Sequence, residues 1–508
     1  MNVIFFITDQ QRADHLSCAG NKVLKTPNID KLASEGVRFS NAYVANPTCM
    51  PNRCSIMTGQ YPNTCIRTFG VNLPEDAPTF SGTLRDQGYA TKAVGKMHLN
   101  YWAGKYDKSS RSAEYIPGWM NPDTHDQMVK EFPLPYYGFD EMDLVVGHGD
   151  SCNGHYQDWV AERAPELIPV IKEQGPKILT EMYRKSPIPE EFYPTAYLTD
   201  RSVNFLEDYA KGEKDKPFLL KVSYPDPHHP CTPPGKYADM YKAEDMELPA
   251  SFDDLDSIRN HPYIGTKTDQ PGFGNMLFHT SNEEETRNFI SHTYGMIAMI
   301  DDSVGQILST VADLGLEDDT MIVYTSDHGD MMGDHGMILK GWLPFKGILN
   351  VPLIFKVPGV AKAGSVSESL VSAVDLAPTI LNLCGIDPEV QPPDMQGYDV
   401  TPILKDPNLQ LRENCLIEVD EIDTGKVDRS QNQSMPVGRL KYLITDRYSL
   451  TVYDGFPGYG DLFDLQEDPH ELNNLWDTNL DLRHELVEKL LFEVIKQQSI
   501  YPKKQAMS

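Results

Sequence analysis

Four pairs of polar residues stand just beyond short apolar runs, and each pair carries groups able to do chemistry. Asp9 and Gln10 follow residues 3–8, Lys96 and His98 follow 89–94, His228 and His229 follow 218–223, and Asp327 and His328 follow 321–325. Asp9, Gln10, Asp327 and His328 offer oxygen donors and one imidazole, a set suited to a divalent cation such as calcium, magnesium or manganese. A single acid at a strand end often only caps a turn. Two such pairs at two strand ends instead favour a shared ligand. Between the first two pairs lies NPTCMPNRCSIMTGQYP, residues 46–62. A lone thiol such as Cys49 is most often an inert buried side chain, but this one is followed by Pro51, Arg53 and the Thr58-Gly59 pair.

The elements that must position these residues are apolar, β-rich runs at 3–8, 89–94, 218–223, 321–325 and 352–357, each followed by turn residues and a helix-like stretch. Continuous apolar runs point to strands buried on both faces, hence an α/β fold with a large, mostly parallel sheet sandwiched by helices. In such open sheets ligands bind outside the carboxyl ends of the strands, so the four pairs can converge on one site. Apolar residues three or four apart from Ile290 to Val311 predict one or two helices over 284–314. After Leu404 the texture changes to short antiparallel strands at 442–445, 448–453 and 461–464, then an amphipathic helix over 482–497. The chain therefore reads as a catalytic α/β domain, 1–405, and a smaller C-terminal α+β subdomain, 406–508. Residues 104–194 are rich in Pro, Gly, Tyr and charge without clear periodicity, and are expected to be an irregular insertion that builds a substrate pocket.

Composition limits the partners. The chain has 508 residues, 40% of them hydrophobic, enough for one large core and a smaller one. Its formal net charge of −29 argues against nucleic acid as a partner, so attraction for an anionic substrate must be local to a pocket. No window approaches the roughly 20 apolar residues of a membrane span. The opening MNVIFFITDQQ has no basic flank or cleavage site and carries Asp9, so it reads as a buried strand rather than a signal peptide. The eight cysteines form no CxxC pair or disulfide-module spacing, and reduced thiols in the cytoplasm are expected. A homo-oligomer is compatible with all of this.

Cys49, Pro51 and Arg53, with Thr58-Gly59, resemble the CxPxR signature of the sulfatases. LKTPNIDKLASEGVRFSNAY, GKMH at 95–98, PHHP at 227–230, SDHGDMMGDHG at 326–336, VPLIF at 351–355 and LFDLQEDPHELNNL sit in that family's order. The resemblance covers essentially the whole chain outside roughly residues 100–200. It implies an alkaline phosphatase-like fold and points to the cytoplasmic arylsulfatase and phosphonate monoester hydrolase branch. It further implies that a formylglycine-generating enzyme converts Cys49 to formylglycine during maturation. Asp9, Gln10, Asp327 and His328, with the modified Cys49, match the ligands of one divalent cation, calcium first, with manganese or magnesium as alternatives. Arg53 matches the residue that supports the formylglycine, and Lys96, His98, His228 and Lys340 match those that hold sulfate and move protons. Many members carry Asp at the position of Gln10 and Asn at that of His328, and imidazole widens the choice of metal. Asn52 replaces the common serine of the signature.

The implied reaction is hydrolysis of a sulfate ester. One hydroxyl of hydrated formylglycine attacks sulfur; the other then loses its proton, the C–O bond breaks and sulfate leaves. The resemblance assigns His98 to the formylglycine hydroxyls and His228 to protonation of the leaving alkoxide, with His229 the lesser actor. Lys340 is preferred over Lys346 by its distance from the DHG element. Asp330, Asp334 and His335 share that loop, with direct and supporting roles both open. Aryl, alkyl and sugar sulfates all fit. The nearest rival is a phosphonate monoester or phosphodiester hydrolase with the same nucleophile, which residues 241–246 and the helix ending at Ile300-Asp301-Asp302 resemble, whereas GKMH resembles the sulfatase pattern. A non-catalytic binder of sulfated ligands is disfavoured, because every matched position is filled.

Overall fold

The computed structural model describes residues 1–66, 70–101, 112–114, 132–212, 216–265, 268, 279–421 and 438–498. Nine strands form the central sheet: β1 (Asn2–Thr8), β2 (Val37–Phe39), β3 (Ala90–Gly95), β4 (Glu141–Val146), β5 (Asn153–Gly154), β6 (Phe218–Ser223), β7 (Thr320–Ser326), β8 (Leu353–Lys356) and β9 (Ser365–Ser367). Their order is β9-β2-β8-β7-β1-β6-β3-β4-β5. From β7 to β4 all neighbours run parallel. β8 is antiparallel to both β7 and β2, and β5 is antiparallel to β4.

Every residue of β1, β6 and β7 is buried, which is why their sequences are continuous apolar runs rather than alternating ones. Val3, Phe5 and Ile7 belong to one core cluster, and Ile4 and Phe6 to a second on the other face. Helices α1 (Pro27–Ser34), α2 (Cys49–Thr58), α3 (Pro194–Lys211), α4 (Glu283–Asp313) and α5 (Leu376–Leu383) divide between the two faces. α2 and α5 supply Met50, Met57, Ala377 and Ile380 to the first cluster; α1, α3 and α4 supply Ile29, Leu206, Ile300 and Val304 to the second. The periodic stretch at 284–314 is one 31-residue helix. Asn282 caps it by accepting from the Glu285 amide at 2.9 Å, and the three glutamates of its first turn suit the positive end of the helix dipole.

A four-stranded antiparallel sheet follows, β10 (Asn414–Glu421), β11 (Gly438–Thr445), β12 (Tyr448–Tyr453) and β13 (Gly460–Asp464), and then α6 (Leu480–Gln498). Leu416, Leu443, Leu450, Leu486 and Leu490 of this region join the cluster that contains Val3 and Phe5. β10 also reaches the chain just ahead of α2. The Glu418 amide donates to the Ala45 carbonyl at 2.9 Å, and Asn46 Nδ2 donates to the Glu418 carbonyl at 2.7 Å.

The stretch 104–194, expected to be irregular, contains β4, β5 and helices over His155–Arg163 and Leu167–Gln174. β4 escapes notice because it lies near the sheet's edge and carries two acids. Lys92 on β3 satisfies both, at 3.2 Å from Glu141 and 2.6 Å from Asp143.

Gly95 ends β3 with φ of +103°, and a Cβ there would sit 2.0 Å from the Ser223 carbonyl oxygen. That same oxygen accepts the Lys96 amide at 2.9 Å. Gly95→Ala is therefore expected to cost on the order of 3 kcal/mol in urea denaturation and to lower turnover by displacing Lys96. An unchanged denaturation midpoint in Gly95→Ala would refute this packing.

Candidate active site

The carboxyl ends of β1, β3, β4, β6 and β7 bring Asp9, Lys96, His98, His148, His228, Asp327 and His328 together, all buried. Cys49 is the first residue of α2, preceded by the extended Thr48, and no acid stands in the helix's first turn. The positive end of the helix dipole is thus turned to its side chain. Pro51 falls within the first turn, where a missing amide hydrogen costs nothing. All ten residues of α2 are buried.

Arg53, on the same helix, ties three elements together through its planar fork. Nε donates to Asp327 Oδ2 at 2.6 Å, Nη1 to the Lys96 carbonyl at 3.0 Å and to Ser223 Oγ at 2.8 Å, while Nη2 lies 3.5 Å from Asp9 Oδ2. Lys96 Nζ pairs with Asp9 and also lies 2.6 Å from His148 Nε2. Lys340 Nζ sits 3.0 Å from Cys49 Sγ and 2.9 Å from both His228 Nε2 and His328 Nε2. The rings of His148 and His228 stack at 3.6 Å. His228 Nδ1 faces the His229 carbonyl at 2.5 Å, so Nδ1 carries hydrogen and Nε2 accepts from Lys340.

One donor atom each from Asp9, Cys49, Asp327 and His328 lies within 4.8 Å of all the others. Among the described residues, Asp9 Oδ1 and Gln10 Oε1 have no hydrogen-bond partner, and both are buried. Gln10 donates its amide nitrogen to Asp330 and His229, leaving the oxygen as its unengaged end. Two orphaned oxygens beside a carboxylate and an imidazole fit a divalent cation.

The charges tune one another. Burial works against ionised Asp9, but Lys96, Lys340 and Arg53 outweigh it and hold the carboxyl well below its usual range. Burial likewise opposes a Cys49 thiolate, yet Lys340 and Lys96 draw its pKa well below that of a free thiol. For Lys340 burial is outweighed by Cys49, Asp9 and Asp327, and the ammonium is favoured. His228 is pushed far down, first by burial and then by His148 and Lys340.

The neighbouring polar residues act as supports. His229 Nδ1 lies 3.1 Å from the Gln10 amide nitrogen, and Asn52 binds the Ala45 amide and the Asp327 carbonyl. Asp330 accepts the Met332 and Leu339 amides, Asp334 pairs with Arg12 at 2.6 Å, and His335 pairs with Asp254 at 2.8 Å. Lys346 donates its backbone amide to Glu471, away from the Cys49 cluster. Sequence reasoning missed His148, which follows the overlooked β4 by two residues, and Glu114, whose carboxylate binds the backbone after Lys96.

The family described as "Sulfatase" matches residues 1–386. This chain belongs to the sulfatase family. The region described as "N-sulphoglucosamine sulphohydrolase, C-terminal" matches residues 333–499. The sulfatase is 28% identical over 483 residues to an arylsulfatase of Clostridium perfringens, covering 93% of this chain and 90% of the relative. It is 30% identical to the multifunctional alkaline phosphatase superfamily protein PehA of Trinickia caryophylli, covering 93% and 91% of the two chains. It superposes on the phosphonate monoester hydrolase of Agrobacterium radiobacter with a TM-score of 0.76 at 25% identity, covering 98% and 96%. The protein is a sulfuric ester hydrolase with the alkaline phosphatase-like fold.

Arg53→Lys keeps the charge but replaces a fork with a single point donor. With Ser223 Oγ or the Lys96 carbonyl left short, the variant is expected to lose about 2 kcal/mol of stability. Chemical denaturation checks this, and wild-type stability in Arg53→Lys would show that the fork is not needed.

Proposed function

We propose that this sulfatase cleaves sulfate esters with a formylglycine made from Cys49, beside one divalent cation held by Asp9, Gln10, Asp327 and His328 with the modified residue 49. The carrying observation is the clustering of Cys49 Sγ, which stands in for the formylglycine oxygen, with Asp9, Asp327 and His328, 3.0 Å from Lys340 Nζ. Calcium is the first choice, with manganese or magnesium as alternatives, because the donors are mostly oxygen. When bound, the cation would make the nucleophilic hydroxyl more acidic and neutralise charge on the ester's oxygens.

The remaining work falls to the chain's own side chains. Arg53 orients the carboxylates, and Lys96 and Lys340 supply fixed positive charge where negative charge develops on sulfate oxygens. His98, in contact with the Cys49 side chain, takes the proton whose loss releases sulfate. His228 accepts at Nε2 from the Lys340 ammonium 2.9 Å away and passes that proton to the leaving alkoxide, so that the proton given up comes from Lys340.

The substrate class is an aryl, alkyl or sugar sulfate. Likeness to the phosphonate monoester hydrolase supports a second reading, in which the same nucleophile attacks a phosphonate monoester or phosphodiester. Side-by-side assay of aryl sulfate and aryl phosphonate esters separates the two. Eight free cysteines support a place in the reducing cytoplasm, and none of the described helices is long and apolar enough to cross a membrane.

Cys49→Ala is expected to fold normally and lose nearly all turnover. Peptide mass spectrometry of the wild type should show formylglycine at position 49. Wild-type activity in Cys49→Ala would sink the mechanism. Asp327→Asn removes a buried charge from the cation's ligands, so cation affinity, measured calorimetrically, and activity should fall together. Full activity in a demonstrably metal-free sample would count against the cation. His228→Ala should slow esters with high-pKa leaving groups far more than activated aryl esters, because good leaving groups need little proton donation. The readout is kcat/KM across graded leaving groups, and parallel plots would remove His228 from the acid role.

A further inference from the structure

Glu114 lies outside every motif that the family resemblance covers, yet it is 1% exposed and its side chain ends against the catalytic turn. Its Oε2 accepts the His98 amide at 2.7 Å, and its Oε1 accepts the Leu99 and Asn100 amides, each at 3.0 Å. Tyr136 donates its hydroxyl to the same Oε1 at 2.7 Å. The attachment is reciprocal, since the Ala113 amide donates to Asn100 Oδ1 at 3.3 Å. Three successive backbone amides converging on one carboxylate make an anion nest filled by the protein itself.

His98 is the residue that needs this support. Its φ is +52°, in the left-handed region that a residue with a Cβ adopts only when its surroundings hold it there. In that conformation its imidazole meets the Cys49 side chain. Without the carboxylate three buried amides would lose their acceptor, and the backbone would relax to negative φ, swinging the ring away. Lys96, two residues earlier, is held separately by Asp9, His148 and the Ser223 carbonyl. Loss of Glu114 should therefore move His98 and spare Lys96.

We infer that Glu114 is a positioning residue for catalysis, which fixes His98 in its left-handed conformation with its ring against residue 49. The inference rests on the role given to His98 above. Glu114 touches neither substrate nor nucleophile and acts only through the turn.

The test is a double-mutant cycle in the full chain, loaded with calcium, with formylglycine content at position 49 measured by peptide mass spectrometry. Glu114→Ala, Glu114→Gln, His98→Ala and the double Ala variant are compared on an aryl sulfate for kcat, KM and the pH profile of kcat. Glu114→Ala should lower kcat about a hundredfold, the scale of one proton-transfer group, and move KM by less than about threefold. Glu114→Gln, which keeps one acceptor oxygen, should lose about tenfold. In the His98→Ala background, Glu114→Ala should cost less than about threefold more. The pH profiles of the Glu114→Ala and His98→Ala variants should coincide. Should Glu114→Ala fail to fold, Glu114→Gln takes its place in the cycle. Additive losses, or wild-type kcat in Glu114→Ala, would overturn the inference alone. A fully active His98→Ala enzyme would overturn it together with the role assigned to His98.

Discussion

The site depends on burying opposite charges together. Arg53, Lys96 and Lys340 share one desolvated space with Asp9 and Asp327. Any one of these charges buried alone would cost several kcal/mol, so each is a condition for the others. The balance is local. The chain as a whole is strongly acidic, but exposed charges farther than the Debye length of about 8 Å are screened at physiological salt. Within the pocket three basic groups set the field, and a low dielectric strengthens them for an incoming anion.

Topology makes that concentration of charge possible. The parallel order β7-β1-β6-β3-β4 places the carboxyl ends of five strands side by side. Residues from Asp9 to Lys340 then need only short excursions to meet. Among the described residues, the antiparallel β8 and the C-terminal sheet lend no side chain to the cluster. They close the core beneath it, and β10 braces the chain ahead of α2 through Ala45 and Asn46.

Most of this was legible in the sequence because the central strands are buried on both faces and so announce themselves as unbroken apolar runs. Asp9, Lys96, His228 and Asp327 could be placed because each directly follows such a run. Cys49 and Arg53 needed the motif, since a wholly buried helix has no polar face to betray its register. β4 was lost because Glu141 and Asp143 interrupt its apolar face, their charges being answered by Lys92 across the sheet. His148 went with it. Glu114 was invisible for a different reason: its carboxylate serves backbone amides, and amides leave no trace in side-chain chemistry.

The brace between Asn46 and Glu418 spans 372 positions of chain. At roughly 5–20 residues per second, a ribosome takes on the order of 20 to 70 s to cover that distance. Throughout that interval the nascent segment carrying Cys49 lacks the strand that will fix it, and the helix that later buries the thiol on all sides has no completed core to enter. The proposed conversion of Cys49 thus has a natural window during synthesis, which the last stage of folding shuts. The connectivity sets the order that the proposed conversion would follow: the covalent change first, the C-terminal sheet afterwards.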